Sequence, residues 1–458
     1  MKPSAPSSLV AISLIATSLG GCLGDQVEPV AELDEATPDI VERRAERPCN
    51  GAREAGALGV FGPEPPSAYS LTEAPDCNDA TVICVTPATL QGEVDDGTEV
   101  IVLRDGVYTA NDLDGDFLSI DGQELWAEHV GGAILEFGIE AGGNGIQHAG
   151  SRLRGLVFDI DDATHVPDQL ASGTTIISAW GDATHLRIDD TEFHGNGLVD
   201  TGIYVASPSD LQLERLEIDG LRRYGTLVEG AGPVNTPVFA QDIRVDDVSS
   251  PLNPKHGVGL RFSESVVLNR ARVRDVRWAG IVVNGEAMGS QVTSVDVDRV
   301  GIGSTTGAVG VYLDNTTRHT TIQDFCVGPQ TRIGVNSEWD NWCDHAVPGC
   351  DTPTHDMFPR AHHTTVKDGL VEAWQIGVHF DQGTVAGNVE DMIFRNYLRA
   401  GIVFHNNLSD ANLWPNYDDG STEANNDFQE AQNNCSTCDV TFSVWTDPTP
   451  QCVGQPAC

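Results

Sequence analysis

Three hexapeptides in the C-terminal half of the chain are versions of one another: "GVYLDN" from Gly310, "GVHFDQ" from Gly377 and "GIVFHN" from Gly401. Glycine followed by an aliphatic residue also occurs at Gly202, Gly257, Gly280 and Gly334, and Gly225 opens the same pattern with threonine, so the eight glycines are separated by 23, 32, 23, 30, 24, 43 and 24 residues. Four of the seven gaps are one unit, and the longer ones carry turn-rich additions such as "PVNTP", "GIGSTTG" and "DNWCDHAVPGCDTPTHDMFPR". A second register accompanies the first. Seven positions before three of the glycines stand Ile218, Val273 and Phe394, and four positions before them Leu221, Val276 and Tyr397. Such a repeat unit buries its apolar face by stacking on its neighbours, so the period specifies a solenoid. No amphipathic stripe of helical period is long enough to make the repeats helical.

In a stacked β-coil, equivalent side chains of successive coils stand about 4.8 Å apart and form columns. The glycine is expected at a sharp bend that opens each strand. The first and third residues after it should then point inward, the second and fourth outward. The second position reads Tyr204, Leu227, Gly259, Val282, Tyr312, Asn336, His379 and Val403; the fourth reads Ala206, Glu229, Arg261, Asn284, Asp314, Glu338, Asp381 and His405. Toward the C-terminal half this outward face becomes a polar patch suited to holding a sugar chain.

The repetitive part opens at "VTPATLQGEVDDGTEVIVLRDGVYT". Thr86 is expected to cap a short helix with Pro87 at its first position, and "DDG" to turn the chain into the apolar strand "TEVIVL". This opening, followed by the glycine repeat, resembles the right-handed parallel β-helix proteins of the pectate-lyase-like superfamily, which often begin with a short amphipathic helix over the first coil. The resemblance covers roughly Val82 to Leu408. It implies an all-β fold, a single-stranded right-handed parallel β-helix with a short N-terminal helical cap and a Cys-rich C-terminal tail. It also implies a polysaccharide partner lying across the outer face of one parallel sheet. The "NTD", "GDD" and "GHG" signatures of polygalacturonase-like hydrolases and the "LRHG" stretch of alginate and chondroitin lyases are absent. The resemblance therefore carries an architecture and no active site.

Two constellations offer chemistry on that scaffold. Carboxylates one coil apart would stand roughly 5 Å from each other and those two coils apart roughly 10 Å, near the separations used by retaining and inverting glycosidases. Stacked like charges also raise one carboxyl pKa, as a general acid requires. Asp314, Glu338 and Asp381 are thus the expected acid, base and positioning group, with Tyr312, Asn336, His379 and His405 binding substrate and Trp339, Trp342 and Trp374 nearby for stacking. The same residue types also simply initiate turns. The second constellation lies between Lys255 and Trp278, where six Lys or Arg face two acids. Elimination from a uronic-acid polymer needs a neutralised carboxylate and a base, and Lys255, His256 and Arg261 are the alternative catalytic set. Lyases resembling this fold work with or without calcium. Arg272 and Arg274 should project from a different face, where pairing with acidic neighbours is the plainer role. Asp112, Asp114 and Asp116 alternate as calcium ligands can, without the glycine and distal glutamate of an EF-hand. His362 and His363 would face opposite ways in an extended strand.

The remaining signals concern compartment. With 68 acidic against 26 basic side chains, a formal charge of -42 argues against nucleic acid or anionic lipid as partner. Lys2, the apolar run Leu9 to Leu19 and "LGGC" read as an export signal. Leu19-Gly20-Gly21-Cys22 resembles a bacterial lipobox, which implies a signal peptide over 1–21, a lipid on Cys22 and, with Leu23 following, the outer membrane as destination. Residues 22–75 read as an acidic tether, 76–408 as the β-helix and 409–458 as a disulfide-rich tail. Of eleven cysteines, ten remain once Cys22 is set aside and can all pair. Cys77 with Cys84 and Cys343 with Cys350 are the expected local bridges. Stapling is the plainer reading of Cys435, Cys438, Cys452 and Cys458 than a zinc site. Because fold does not fix function, a non-catalytic glycan-binding or structural surface protein stands beside the enzyme as the second class.

Overall fold

The structure is a computed structural model that describes residues 74–79, 81–142, 150–169, 173–179, 186–206, 210–229, 237–249, 257–263, 265–284, 287–301, 308–313, 317–337, 363–373, 375–380, 387–406, 422–429 and 440–444. Its strands pair parallel from coil to coil in two long sheets, which makes the chain a parallel β-helix. The coil is right-handed, the sense that strand twist imposes on parallel crossovers. Among the described residues no helix is long and apolar enough to cross a membrane.

The N-terminal end follows from its local sequence. Pro87–Thr89 forms a 3-10 turn after Thr86, whose amide donates to Thr89 Oγ1 at 3.1 Å, and the chain continues into the helix Leu90–Asp95. Leu90 and Val94 are the buried face of that helix, so it caps the apolar end of the first coil. Gln123 Nε2 donates to Val94 O at 2.9 Å, a carbonyl that also accepts from Gly97 N at 3.0 Å, and so ties the helix end to the next coil. Gly97, at φ +73°, then turns the chain into the strand Val100–Leu103. Cys77 and Cys84 form a disulfide, and Cys326 is disulfide-bonded as well. Cys22, the tether and Cys343, Cys350, Cys435, Cys438, Cys452 and Cys458 lie outside the described residues.

The first sheet is bent along its length. Strands such as Leu211–Leu221, Val238–Val248 and Val266–Val276 run through both of its legs, with one left-handed residue at the corner. Those corner residues stack in register as Asp190, Arg215, Asp242, Arg270, Ser294, Asp324, Asp368, Asp391 and Asn425, all with φ between 51° and 56°. Asp and Asn tolerate this conformation best, and the two arginines are held by the aspartates below them: Arg215 by Asp190 and Arg270 by Asp242. Ile218, Val273 and Phe394 occupy one interior column of the second leg, as the sequence register requires. Rings stack along the axis inside the coil: Phe158 on Phe193 at 5.2 Å and Phe380 on Phe404 at 5.3 Å.

The second sheet carries the glycine ladder, and here the expectation of a bend is corrected. Gly202, Gly225, Gly259, Gly280, Gly310, Gly334, Gly377 and Gly401 share one register, and none has a positive φ. They are glycines because the two sheets approach closely there. A Cβ on Gly280 would lie 2.7 Å from the Gly310 carbonyl oxygen and closer still to Val297 Cγ1 of the first sheet. The register is also corrected at one coil: the ladder uses Gly259 rather than Gly257, whose φ of +112° marks it as the turn residue. Arg261 is therefore the second residue after its glycine, between Leu227 and Val282, and Ser263 is the fourth.

The stack also extends past residue 408. Thr422–Ala424 and Asp427–Gln429 add to the first sheet, and Val440–Val444 pairs with Ala400–Asn406 in the second. The described parts of the region expected as a tail, 422–429 and 440–444, thus pair onto the two sheets, the latter through the apolar-alternating "VTFSV" that the glycine register does not include.

Candidate functional site

The outer face of the first sheet neutralises itself. Asp189, only 1% exposed, receives Arg152 Nη2 at 3.0 Å and Arg154 Nε at 3.1 Å, and both guanidiniums lie over Trp126 at 4.4 and 5.0 Å. Arg244 pairs with Glu217 at 3.4 Å, and Arg272 and Arg274 both pair with Asp296, at 3.9 and 3.7 Å. The last two do project from a different leg than Arg261, as the register predicts. His194 is held between Asp219 (Nδ1–Oδ2, 3.1 Å) and Glu192 (Nε2–Oε2, 3.4 Å), and these hydrogen bonds push its pKa up to about 10. A histidine raised in the folded state stabilises fully below its unfolded value of 6.5, and the contribution disappears as pH climbs through about 10. Because the ring is 29% exposed, screening limits the effect to about 1 kcal/mol. The expected result is that the stability difference between the parent and His194→Gln, read from urea midpoints, shrinks steadily from pH 6 to pH 10. A difference that is flat over that range would show that the imidazole is not charged by its neighbours.

The outer face of the second sheet is different. The residue two after each ladder glycine forms the column Tyr204, Leu227, Arg261, Val282, Tyr312, Asn336, His379 and Val403. Its apolar members, with Tyr224, Val258 and Ala279 from the residue before the glycine, form a cluster separate from the interior core. Tyr312, Asn336 and His379 are neighbours on three successive coils, as the sequence predicts. Asn336 and His379 are not open surface, being 5% and 7% exposed, and so form a floor. His379 Nδ1 lies 2.8 Å from Asn336 Oδ1. An amide oxygen only accepts, so Nδ1 is the donor in this contact.

Of the other expected site residues, Asp314, Glu338, Asp381, Lys255 and His256 lie outside the described residues, as do Trp339, Trp342, Trp374 and His362. Leu313, Ser337 and Phe380, the residues immediately before the three acids, are register partners. His405 is in the strand Ala400–Asn406, paired with Ser443. Arg261 reaches the Tyr224 hydroxyl from Nη1 at 3.3 Å, and its guanidinium lies 5.8 Å from that ring. The Asn284 amide, turned to suit its neighbours, accepts from Arg261 Nη2 at 3.0 Å and donates to Ser263 Oγ at 2.7 Å.

Two expectations about ligand chemistry are corrected. Asp112 closes a turn, accepting from Thr109 N at 2.9 Å, and does not converge with Asp114 and Asp116. The one group of three metal-binding side chains among the described residues is Asp105, Glu128 and His129 on the surface, where His129 already pairs with Asp105 at 3.0 Å. His363 is not extended; at φ +57° it stacks on His319 at 4.8 Å, a ring ladder at a coil corner.

Sequence reasoning missed the residues two before the ladder glycine. Arg223, Trp278, Arg332, Gln375 and Arg399 hold that position in their coils, and backbone bonds such as Ile376 N to Arg332 O at 3.2 Å keep it in line. Trp278 meets Tyr312 edge-on at 5.7 Å. Arg332 Nε donates to Gln375 Oε1 at 2.5 Å, while burial and then the Arg399 charge lower the Arg332 pKa. The signal was legible as "RYG", "WAG", "RIG", "QIG" and "RAG", long polar or aromatic side chains recurring just before the glycine.

No family model matches the chain, and no curated protein matches it. Among solved structures it is similar to the A-module of the Azotobacter vinelandii mannuronan C-5 epimerase AlgE4, at 15% identity and TM-score 0.39, covering 78% of this chain and 95% of that one. The catalytic domain of a GH87 alpha-1,3-glucanase in complex with tetrasaccharides matches at 10% identity and TM-score 0.42, covering 84% and 71%. The Streptococcus pneumoniae surface protein and adhesin PfbA matches at 10% and 0.36, covering 77% and 94%. These likenesses are too distant to carry a function.

Proposed function

We propose that this protein is an exported, lipid-anchored β-helix protein that binds polysaccharide along the outer face of its second sheet and cleaves it there. The observation that carries the reading is the column Tyr312, Asn336 and His379 with Trp278 edge-on to Tyr312: an aromatic wall beside an amide–imidazole pair on one sheet face. Aromatic faces and edges cover the apolar side of a sugar, and amide and imidazole groups meet its hydroxyls. Cleavage is assigned to Asp314, Glu338 and Asp381, which follow three register partners in the sequence. Elimination through Lys255, His256 and Arg261 is the second chemistry, and Cys22 is the lipidation residue.

The test is a screen of the mature protein against neutral and uronic-acid polysaccharides, following retention, new reducing ends and unsaturated products. Tyr312→Ala is expected to weaken retention about tenfold through lost aromatic contact. Asp314→Asn is expected to abolish reducing ends while leaving retention intact. Unsaturated products that vanish in Lys255→Ala would move the chemistry to the second set. Retention without any product would make the protein a surface glycan binder, and no retention by any polymer would end the reading.

A further inference from the structure

The charged residues of the two sheets obey different rules. On the first sheet, Arg152, Arg154, Arg215, Arg244, Arg270, Arg272, Arg274 and Arg299 each have a carboxylate partner. In a chain with 68 acids for 26 bases that is what random proximity alone would favour. Arg187 of the same sheet rests on the Gln212 amide instead, and along the second sheet none of Arg223, Arg261, Arg332 and Arg399 is ion-paired among the described residues. Arg223 has the Tyr224 ring at 5.5 Å, Arg261 the Tyr224 hydroxyl and the Asn284 amide, and Arg332 the Gln375 amide. Every one of these partners is neutral.

A partly buried guanidinium with only neutral neighbours pays for desolvation without recovering it, so such sites persist where an anion completes them. The arrangement has a definite length. Arg223 and Arg261 are on consecutive coils, Trp278 and Tyr312 on the next two, and Arg332, Gln375 and Arg399 on the three after that. At about 4.8 Å per coil, the coils of Arg261 and Arg332 lie roughly 14 Å apart along the axis, and the two residues are further offset across the strands, two after and two before their glycines. Between them the face presents an indole, a phenol and Val282, which carry no charge.

We propose that the occupant of this face is an acidic glycan gripped at two anion subsites, Arg223 with Arg261 and Arg332 with Arg399, with uncharged sugar spanning Trp278 and Tyr312 between them. This rests on the polysaccharide reading above and adds the charge of the polymer and where along it the charges are held. Guanidinium pairs bind carboxylate or sulfate through charge-assisted hydrogen bonds, and both groups occur on glycans.

The experiment measures equilibrium binding of the full mature protein to polygalacturonate, alginate and chondroitin sulfate, and to fully methyl-esterified polygalacturonate, unsulfated chondroitin and dextran. The parent is compared with R223Q/R261Q, R332Q/R399Q and R244Q, the last removing an ion-paired arginine of the first sheet. At least one acidic polymer is expected to bind about tenfold tighter than every neutral one, each double variant to lose about tenfold on that polymer alone, and R244Q to match the parent. Loss of preference on esterification identifies carboxylate as the anion; loss with the sulfate identifies sulfate. If neutral and acidic polymers bind alike and the double variants match the parent, the anion subsites are wrong while the polysaccharide reading stands. If no polymer binds, both fall. Thermal melting of the three variants at the parent's temperature secures the comparison, because all four arginines lie at the surface or only half-buried.

Discussion

Gly280→Ala is expected to destabilise the β-helix by about 3 kcal/mol, although it adds one methyl group to a residue with ordinary backbone angles. The methyl carbon would sit 2.7 Å from the Gly310 carbonyl oxygen, a backbone atom that cannot rotate away, and would also meet Val297 Cγ1. Relief requires the two sheets to part at that coil, and every neighbouring coil resists because the same approach recurs at Gly259 and Gly310. Gly92→Ala is the control: nothing lies within 4 Å of its added carbon, and in a helix alanine gains up to about 1 kcal/mol over glycine. Urea unfolding of both variants reads the difference. Equal midpoints for Gly280→Ala and the parent would mean that the sheets are not in contact along the ladder.

Asp189→Ala should be as damaging for an electrostatic reason. Its carboxylate is 1% exposed and joins Arg152 and Arg154, with Arg215 Nη2 at 3.8 Å. Removing it leaves Arg152 without its carboxylate and Arg154, only 5% exposed, with Asp190 alone, which Arg215 already shares. Breaking a buried pair from one side costs about 3–5 kcal/mol because the surviving charge stays desolvated. Glu217→Ala, which frees the exposed Arg244, should cost at most about 0.5 kcal/mol. The contrast between the two, measured under the same conditions, is the result that matters. A small effect at Asp189 would mean that water reaches Arg154 in the folded protein.

The candidate face shows how far the repeat could be read and where it stopped. Tyr312, Asn336 and His379 were placed beside one another by counting from a glycine, and the strands pair them so. Arg261 falls two positions from its expected place because "GVG" offers two glycines, and the strand register with the positive φ of Gly257 tells them apart. Arg332 and Arg399 attracted no notice, since a lone arginine before a strand is ordinary. What sets them apart is that neither is ion-paired among the described residues, and neighbours in a solenoid are a full coil away in sequence.

By itself the sequence determined the period, the inward and outward alternation and the helical cap, because each of these depends on residues within one coil. The tertiary structure alone decided why the ladder is glycine, that the stack continues past residue 408 and which arginines are compensated. Those depend on contacts across the coil and between coils, and the intervening segments vary too much in length for such contacts to be counted out along the chain.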